Sequence, residues 1–265
     1  LLTSRFPVRL RLGGPQFDLP LMVESARVSL PLAGTRLSRT FGRFPFLFVL
    51  GVLGTSEVAA YAVGRRVVLF AMMPAWGYST AASTLVGQAV GAGEDEAATG
   101  YGWQTTRIAL ATQLLVAAVL AVLAPYVARG FGTEDVALTA AFVRVFALGV
   151  AGFSVARTMR GALRGAGDTR WPFYGTVVGT YLVRLPIAFL ALPIGYAVTV
   201  GPFSLGGLTL GRLSVAPGMG LGVGAAFVAI LAGLYVKAVV NTARFASGRW
   251  VTAARTRGEA TSGDD

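Results

Sequence analysis

Ser83-Thr84-Leu85-Val86-Gly87-Gln88-Ala89-Val90-Gly91-Ala92-Gly93-Glu94 closes an apolar run that reaches back to about Glu57. Small residues, one amide and an abrupt acidic turn mark a helix leaving an apolar medium. A second apolar run ends the same way, at Gly161-Ala162-Leu163-Arg164-Gly165-Ala166-Gly167-Asp168-Thr169-Arg170. Gly87-x-x-x-Gly91, Gly161-x-x-x-Gly165 and Gly175-x-x-x-Gly179 have the small-xxx-small spacing that lets helices approach closely in lipid. These features set the fold class: all-α, a polytopic membrane helical bundle.

The composition agrees. Of 265 residues, 54% are hydrophobic and only 13% charged, against about 25% charged in soluble domains. The 23 basic and 12 acidic residues leave a net charge of +11. In a soluble chain that excess would point to nucleic acid. Here the basic residues cluster between apolar runs, where they orient a chain in the bilayer, so no nucleic-acid partner is expected. The chain has no Cys and no His. Disulfides, thiolate catalysis, Cys/His metal sites and imidazole bases are therefore excluded. No nucleophile–base pair or metal cluster is visible, so an enzyme is not expected. Gly220-x-Gly222-x-Gly224 opens an apolar helix without a preceding strand, so it is not a nucleotide fingerprint.

Six spans are expected, at about 26–53, 57–91, 106–127, 135–163, 171–192 and 220–242. A polar loop (1–25) precedes them, a Gly-, Ser- and Pro-rich link (195–217) joins the last two, and a polar tail (243–265) follows. The second span exceeds the roughly 20 residues one crossing needs, and Pro74 should bend it. Arg36, Arg39 and Arg43 fall at i, i+3 and i+7. Their shared face should point into a cavity, toward another helix or to headgroups. With residues 1–25 on the cytoplasmic side, the inside segments carry 12 arginines and the outside loops only Arg129 and Arg212. This positive-inside bias places both termini in the cytoplasm.

Within the second span, Arg66, Met73, Gly77, Thr80, Thr84 and Gln88 step by 7, 4, 3, 4 and 4 and form one stripe. Arg65, Met72, Trp76, Ser79 and Ser83 form its neighbour. A face bearing Met and Trp fits a polyspecific cavity, because Met adapts its shape and Trp stacks on planar cations. Arg66, Met73, Trp76, Thr80, Thr84, Gln88 and the intramembrane Arg184 are the candidate cavity residues. The plainer reading is that Ser and Thr bond their own helix, Met fills gaps, and Arg184 bonds carbonyls freed by Pro186. The span cores hold no Asp or Glu, although ion-coupled transport usually needs an intramembrane carboxylate.

Three segments carry a family resemblance: Ala81 to Gly93, Gly161 to Arg170, and Arg244-Phe245-Ala246-Ser247-Gly248-Arg249-Trp250. Leu30-Pro31-Leu32 and Arg184-Leu185-Pro186 support them. In order and spacing the chain resembles the C-terminal half of a multidrug and toxic compound extrusion (MATE) transporter, in a style similar to the archaeal, DinF-like branch. Gly87, Gly91, Gly93, Gly161, Gly165 and Asp168 are the structural residues of those motifs. The resemblance implies a plasma-membrane antiporter of two six-helix lobes around a central cavity. Such proteins export small organic cations in exchange for Na⁺ or H⁺ by alternating access. It implies no cofactor beyond the coupling ion. Its partners would be the bilayer and an N-terminal lobe, in the same chain or a separate one. The family often carries an acidic residue on helix seven; the matching stretch, about Ser29–Phe48, has none. The coupling carboxylate is then expected in the N-terminal lobe. The alternatives are a related flippase for a lipid-linked sugar, with Arg36, Arg39 and Arg184 as anion contacts, and a truncated, non-transporting remnant. The Leu1 start leads to the expectation of a fragment.

Overall fold

The structure, a computed structural model, describes residues 19–200, 203–205, 208–210 and 213–251. Most of the expected loop 1–25 and tail 243–265 lies outside the described residues. Helices α1 (Leu19–Phe41) and α2 (Arg43–Leu53) make the first span. Residues 19–25 are therefore helix rather than loop. The span is interrupted at Gly42 because Pro45 offers no N–H to the carbonyl of Phe41. The joint packs tightly, since a Cβ on Gly42 would collide with Thr180 Cγ2.

α3 (Thr55–Gly91) runs for 37 residues through Pro74. At about 1.5 Å per residue it overshoots a single hydrocarbon core. α4 (Asp95–Gly130) begins well before the expected residue 106. Asp95 and Glu96 occupy its first turn, where the helix dipole favours acids, so the polar stretch read as a loop continues the helix into the headgroup zone. α5 (Val136–Gly165) is capped by Asp135, whose Oδ1 accepts from the Leu138 amide at 2.8 Å. α5 continues past the expected end at 163 to Gly165, its last two turns held by the buried Met159 and Leu163.

The fifth span is composite: α6 (Arg170–Val177), a π-helical segment (Val178–Arg184) and α7 (Leu185–Phe189). Pro186 supplies no amide to the turn before it, and a widened turn accommodates the loss. α8 (Gly222–Ala246) packs against this segment through facing glycines. A Cβ on Gly179 would lie 3.0 Å from the Gly233 carbonyl, and one on Gly233 equally close to that of Gly179. The link 195–217 is not featureless. It holds strands β1 (Val198–Val200), β2 (Phe203–Leu205), β3 (Leu208–Leu210) and β4 (Leu213–Val215). β1 pairs with β4 and β2 with β3, antiparallel and in one common register. Val-Thr-Val, Phe-Ser-Leu, Leu-Thr-Leu and Leu-Ser-Val alternate with the period of a strand, which outweighs the glycines around them.

α3, α4, α5 and α8 are each long and apolar enough to cross a membrane. α5 packs on α3, α4 and α8. A Cβ on Gly161 would strike the Ser79 carbonyl, and one on Gly165 the Ser83 carbonyl. One on Gly87 would stand 3.2 Å from the Gly165 carbonyl. α3 and α5 are therefore parallel and in main-chain contact, which only small residues allow. Toward the opposite end, Phe46, Leu50, Tyr61, Phe142, Phe146 and Ile230 form the largest buried cluster. Two buried amides bond across helices: Gln113 Nε2 donates to the Ala71 carbonyl at 3.0 Å and Asn241 Nδ2 to that of Ala156 at 2.9 Å.

The motif ending in Trp250 is a clamp. Arg244 Nε meets Asp168 Oδ2 at 2.8 Å and its guanidinium lies 5.1 Å from the Trp171 ring centroid. Trp250 stacks on Phe245 at 5.2 Å, and its Nε1 donates to the Phe245 carbonyl. Together they tie α8 to the turn before α6.

Two stability outcomes follow from these contacts. Gly165→Val should lower the melting temperature of the solubilised protein, with an overpacking cost of about 1–3 kcal/mol or more. Gly91→Ala, which has open space around it, should not. Asp168→Asn should cost about 3 kcal/mol, because it leaves Arg244 without its charge partner in a largely buried site. Thermal unfolding of the three variants in one detergent checks both.

Candidate functional site

The broken spans and the tightly packed ones meet around a cleft of about 300 Å³. α1 and α2 bring Arg39 and Arg43; α3 brings Tyr61, Arg65, Met72 and Trp76; α5 brings Phe146, Phe153, Arg157 and Arg160. The π-helical segment adds Thr180 and Arg184, and α8 adds Lys237. A second cavity, about 380 Å³, shares Arg39, Arg157 and Arg160 with the first and adds Arg36, Arg164 and Ser79. Among the described residues, neither cavity has an Asp or Glu in its lining. A larger groove of about 620 Å³ lies between α3 and α4, but it is lined only by residues such as Val67, Phe70, Leu115 and Val119. It offers no polar group to orient a ligand and faces the bilayer, so it is not the site.

Aromatic rings hold the arginines in place. The Arg184 guanidinium stands 4.0 Å from the Phe46 ring centroid, and that of Arg157 stands 5.3 Å from Trp76. Such cation–π contacts orient a guanidinium while leaving donors free. Arg65 Nη1 reaches the Tyr61 hydroxyl at 3.5 Å. Among the described residues, one ion pair forms, and it is the Arg244–Asp168 clamp outside the cleft. The Nε atoms of Arg157, Arg160 and Arg184 have no hydrogen-bond partner, nor has Thr180 Oγ1, on a residue only 2% exposed.

Of the candidates read from the sequence, the structure brings Trp76 and Arg184 to the cleft. Arg66, Met73, Thr80, Thr84 and Gln88 lie together, exposed, on a different face of α3. Thr80 donates to the Trp76 carbonyl of its own helix at 3.1 Å. Among the motif residues, Gly87, Gly161 and Gly165 sit at the α3–α5 seam and Asp168 in the clamp; Gly91 and Gly93 stand in open space. Gly93 turns the chain between α3 and α4 with φ +78°, a conformation glycine adopts without strain. Arg157, Arg160 and Lys237 were not read as site residues. Arg157, Arg160 and Arg164 repeat the i, i+3, i+7 spacing of Arg36, Arg39 and Arg43, and that spacing was the signal for a helical face rather than a loop.

The described residues form a membrane helical bundle, with four helices long and apolar enough to cross a bilayer and a polar cleft beside two interrupted helices. The MatE family model matches residues 31–190, and the chain belongs to that family. It is 28% identical over 229 residues to a probable multidrug resistance protein NorM of Thermotoga maritima, covering 86% of this chain and 44% of that one. It is 32% identical over 240 residues to a protein of the same name from Pseudomonas putida, covering 87% and 48%. The chain thus spans about half the length of these curated relatives. A crystal structure of MATE in the bent conformation superposes with a TM-score of 0.73 at 21% identity, over 94% of this chain and 50% of that one. That likeness concerns the fold.

The chain has no cysteine, so single-cysteine variants report on one position each. Arg65→Cys and Trp76→Cys should react with a membrane-impermeant thiol reagent many times faster than Val119→Cys and Val122→Cys on the apolar face of α4. Equal labelling of the two pairs would remove water access to the cleft.

Proposed function

We propose that this chain forms the C-terminal lobe of a secondary active multidrug exporter, working by alternating access against a second six-helix lobe in the plasma membrane. The observation that carries the reading is the exposed stripe Arg66, Met73, Gly77, Thr80, Thr84 and Gln88 on α3. An arginine, two threonines and an amide on one face are costly against lipid. They suit a polar cavity shared with another lobe. The names of the curated relatives, and their roughly doubled length, support the same reading.

The cargo of this reading is a small organic cation, exchanged for Na⁺ or H⁺. Among the described residues, the cleft lining holds no carboxylate for either ion, which supports a coupling site in the second lobe. Orientation follows the charges. The bundle end with Arg164, Arg170, Arg244 and Arg249 is assigned to the cytoplasm, and the end with Glu57, Glu134 and Asp135 to the outside. A lipid-linked sugar flippase is the second reading, favoured by the basic lining of the cleft.

Everted vesicles containing the native protein should take up ethidium, and collapse of the Na⁺ or proton gradient should abolish the uptake. Absence of gradient-driven cation movement, with a surface-glycan defect on deletion, would select the flippase. Cysteines at Thr80, Thr84 and Gln88 should crosslink to a second lobe, and cysteines at Val119 and Val122 should not.

A further inference from the structure

We infer that the cleft within this lobe is a binding site for an amphipathic anion, a molecule with a phosphate, sulfonate or carboxylate head and a ring-sized apolar body. The inference rests on the transporter-lobe reading for its membrane setting, but it concerns what this lobe itself holds. Seven basic side chains line the cleft, and two more line the cavity that joins it. Among the described residues, none of the nine has an acidic partner.

Unpaired cations inside a membrane bundle are expensive, and such charges ordinarily pair. The walls belong to α1, α2, α3, α5, the π-helical segment and α8, and Arg39, Arg43 and Trp76 are among the exposed residues of the lining. Thr180 Oγ1 is buried in the same wall without a partner, and the free Nε atoms of Arg157, Arg160 and Arg184 accompany it. Together they offer a charged oxygen several donors at once, the geometry that guanidinium groups serve best. The same lining includes Met72, Trp76, Phe146 and Phe153, which suits an apolar or aromatic body. The volume, about 300 Å³, is at the small end of ligand pockets and excludes a whole lipid while admitting a headgroup or a one- or two-ring anion.

The anion has two sources, the headgroup of an anionic lipid or a soluble organic anion, and one experiment separates them. The native protein carrying this chain is placed in nanodiscs of neutral phosphatidylcholine and titrated with 1-naphthyl phosphate by calorimetry. Native mass spectrometry is run in parallel on discs that also contain phosphatidylglycerol. Saturable binding of 1-naphthyl phosphate that weakens with salt supports a soluble anion. Retention of phosphatidylglycerol but not phosphatidylcholine, with loss of the 1-naphthyl phosphate signal in the mixed discs, supports a lipid headgroup. In either case Arg160→Gln and Arg184→Gln should each weaken binding by about tenfold, the loss of one charge-assisted contact. Arg160→Lys and Arg184→Lys should retain most of it. Lys237→Gln serves as a further variant should Arg160→Gln fail to fold. The inference is overturned by absence of both binding signals, by binding that the glutamine variants leave unchanged, or by tetraphenylphosphonium competing for the same site. The readout needs no transport. Failure of ethidium uptake leaves this result standing, and failure of anion binding leaves the uptake result standing.

Discussion

Main-chain contact between α3 and α5 sets the rest of the structure. Gly161 and Gly165 lay α5 against the carbonyls of Ser79 and Ser83, with Gly87 closing the seam. No larger residue fits there, so the roll of α5 about its own axis is fixed. Arg157, Arg160 and Arg164 lie about 40–100° to one side of Gly161 by helix geometry. Fixing the seam therefore turns the arginines inward, toward α1, α2 and the π-helical segment. In this way a packing motif determines the electrostatics of the cleft.

The two interrupted spans complete it. An unbroken helix in place of α1 and α2 would not carry the joint at Gly42 against Thr180. An unbroken fifth span would place Arg184 on a different azimuth from the one that stacks it on Phe46. Proline is the cause in both spans, through a missing amide at Pro45 and Pro186. Irregular backbone at membrane depth is tolerated where protein covers it. Here it lies among the residues that line the cleft. Aromatic stacking then holds guanidinium groups that have no carboxylate partner among the described residues, and their positive field remains directed into the cavity.

Much of this was legible in the residues. Apolar runs, small-xxx-small spacing and arginine clusters were enough to read an all-α membrane bundle, and the Arg36–Arg39–Arg43 face was expected to seek a cavity or a neighbour. Three things were harder to see. Helix ends were drawn too short at 106 and 163, because polar residues beyond the hydrocarbon still continue a helix. The alternation in 198–215 was masked by the glycines around it. The division of α3 between two faces was the third: Arg65, Met72 and Trp76 face the cleft within this bundle, while Arg66 and Met73 face outward. Azimuth on a helix depends on which neighbour it packs against, and a single helix's pattern does not contain that neighbour. Lys237 was invisible for the same reason, since α8 places it beside Gly179 of the π-helical segment only in three dimensions.

The central claim is that this bundle works as one of two lobes, with the polar stripe of α3 turned toward the other. The direct measurement is the mass and composition of the transport-competent particle released from its native membrane, detected through the segment around Trp250. The account predicts a particle with twelve spans, about twice the 27.5 kDa of this chain, in one polypeptide or two. A single six-span particle of 27.5 kDa that moves cargo by itself would contradict it.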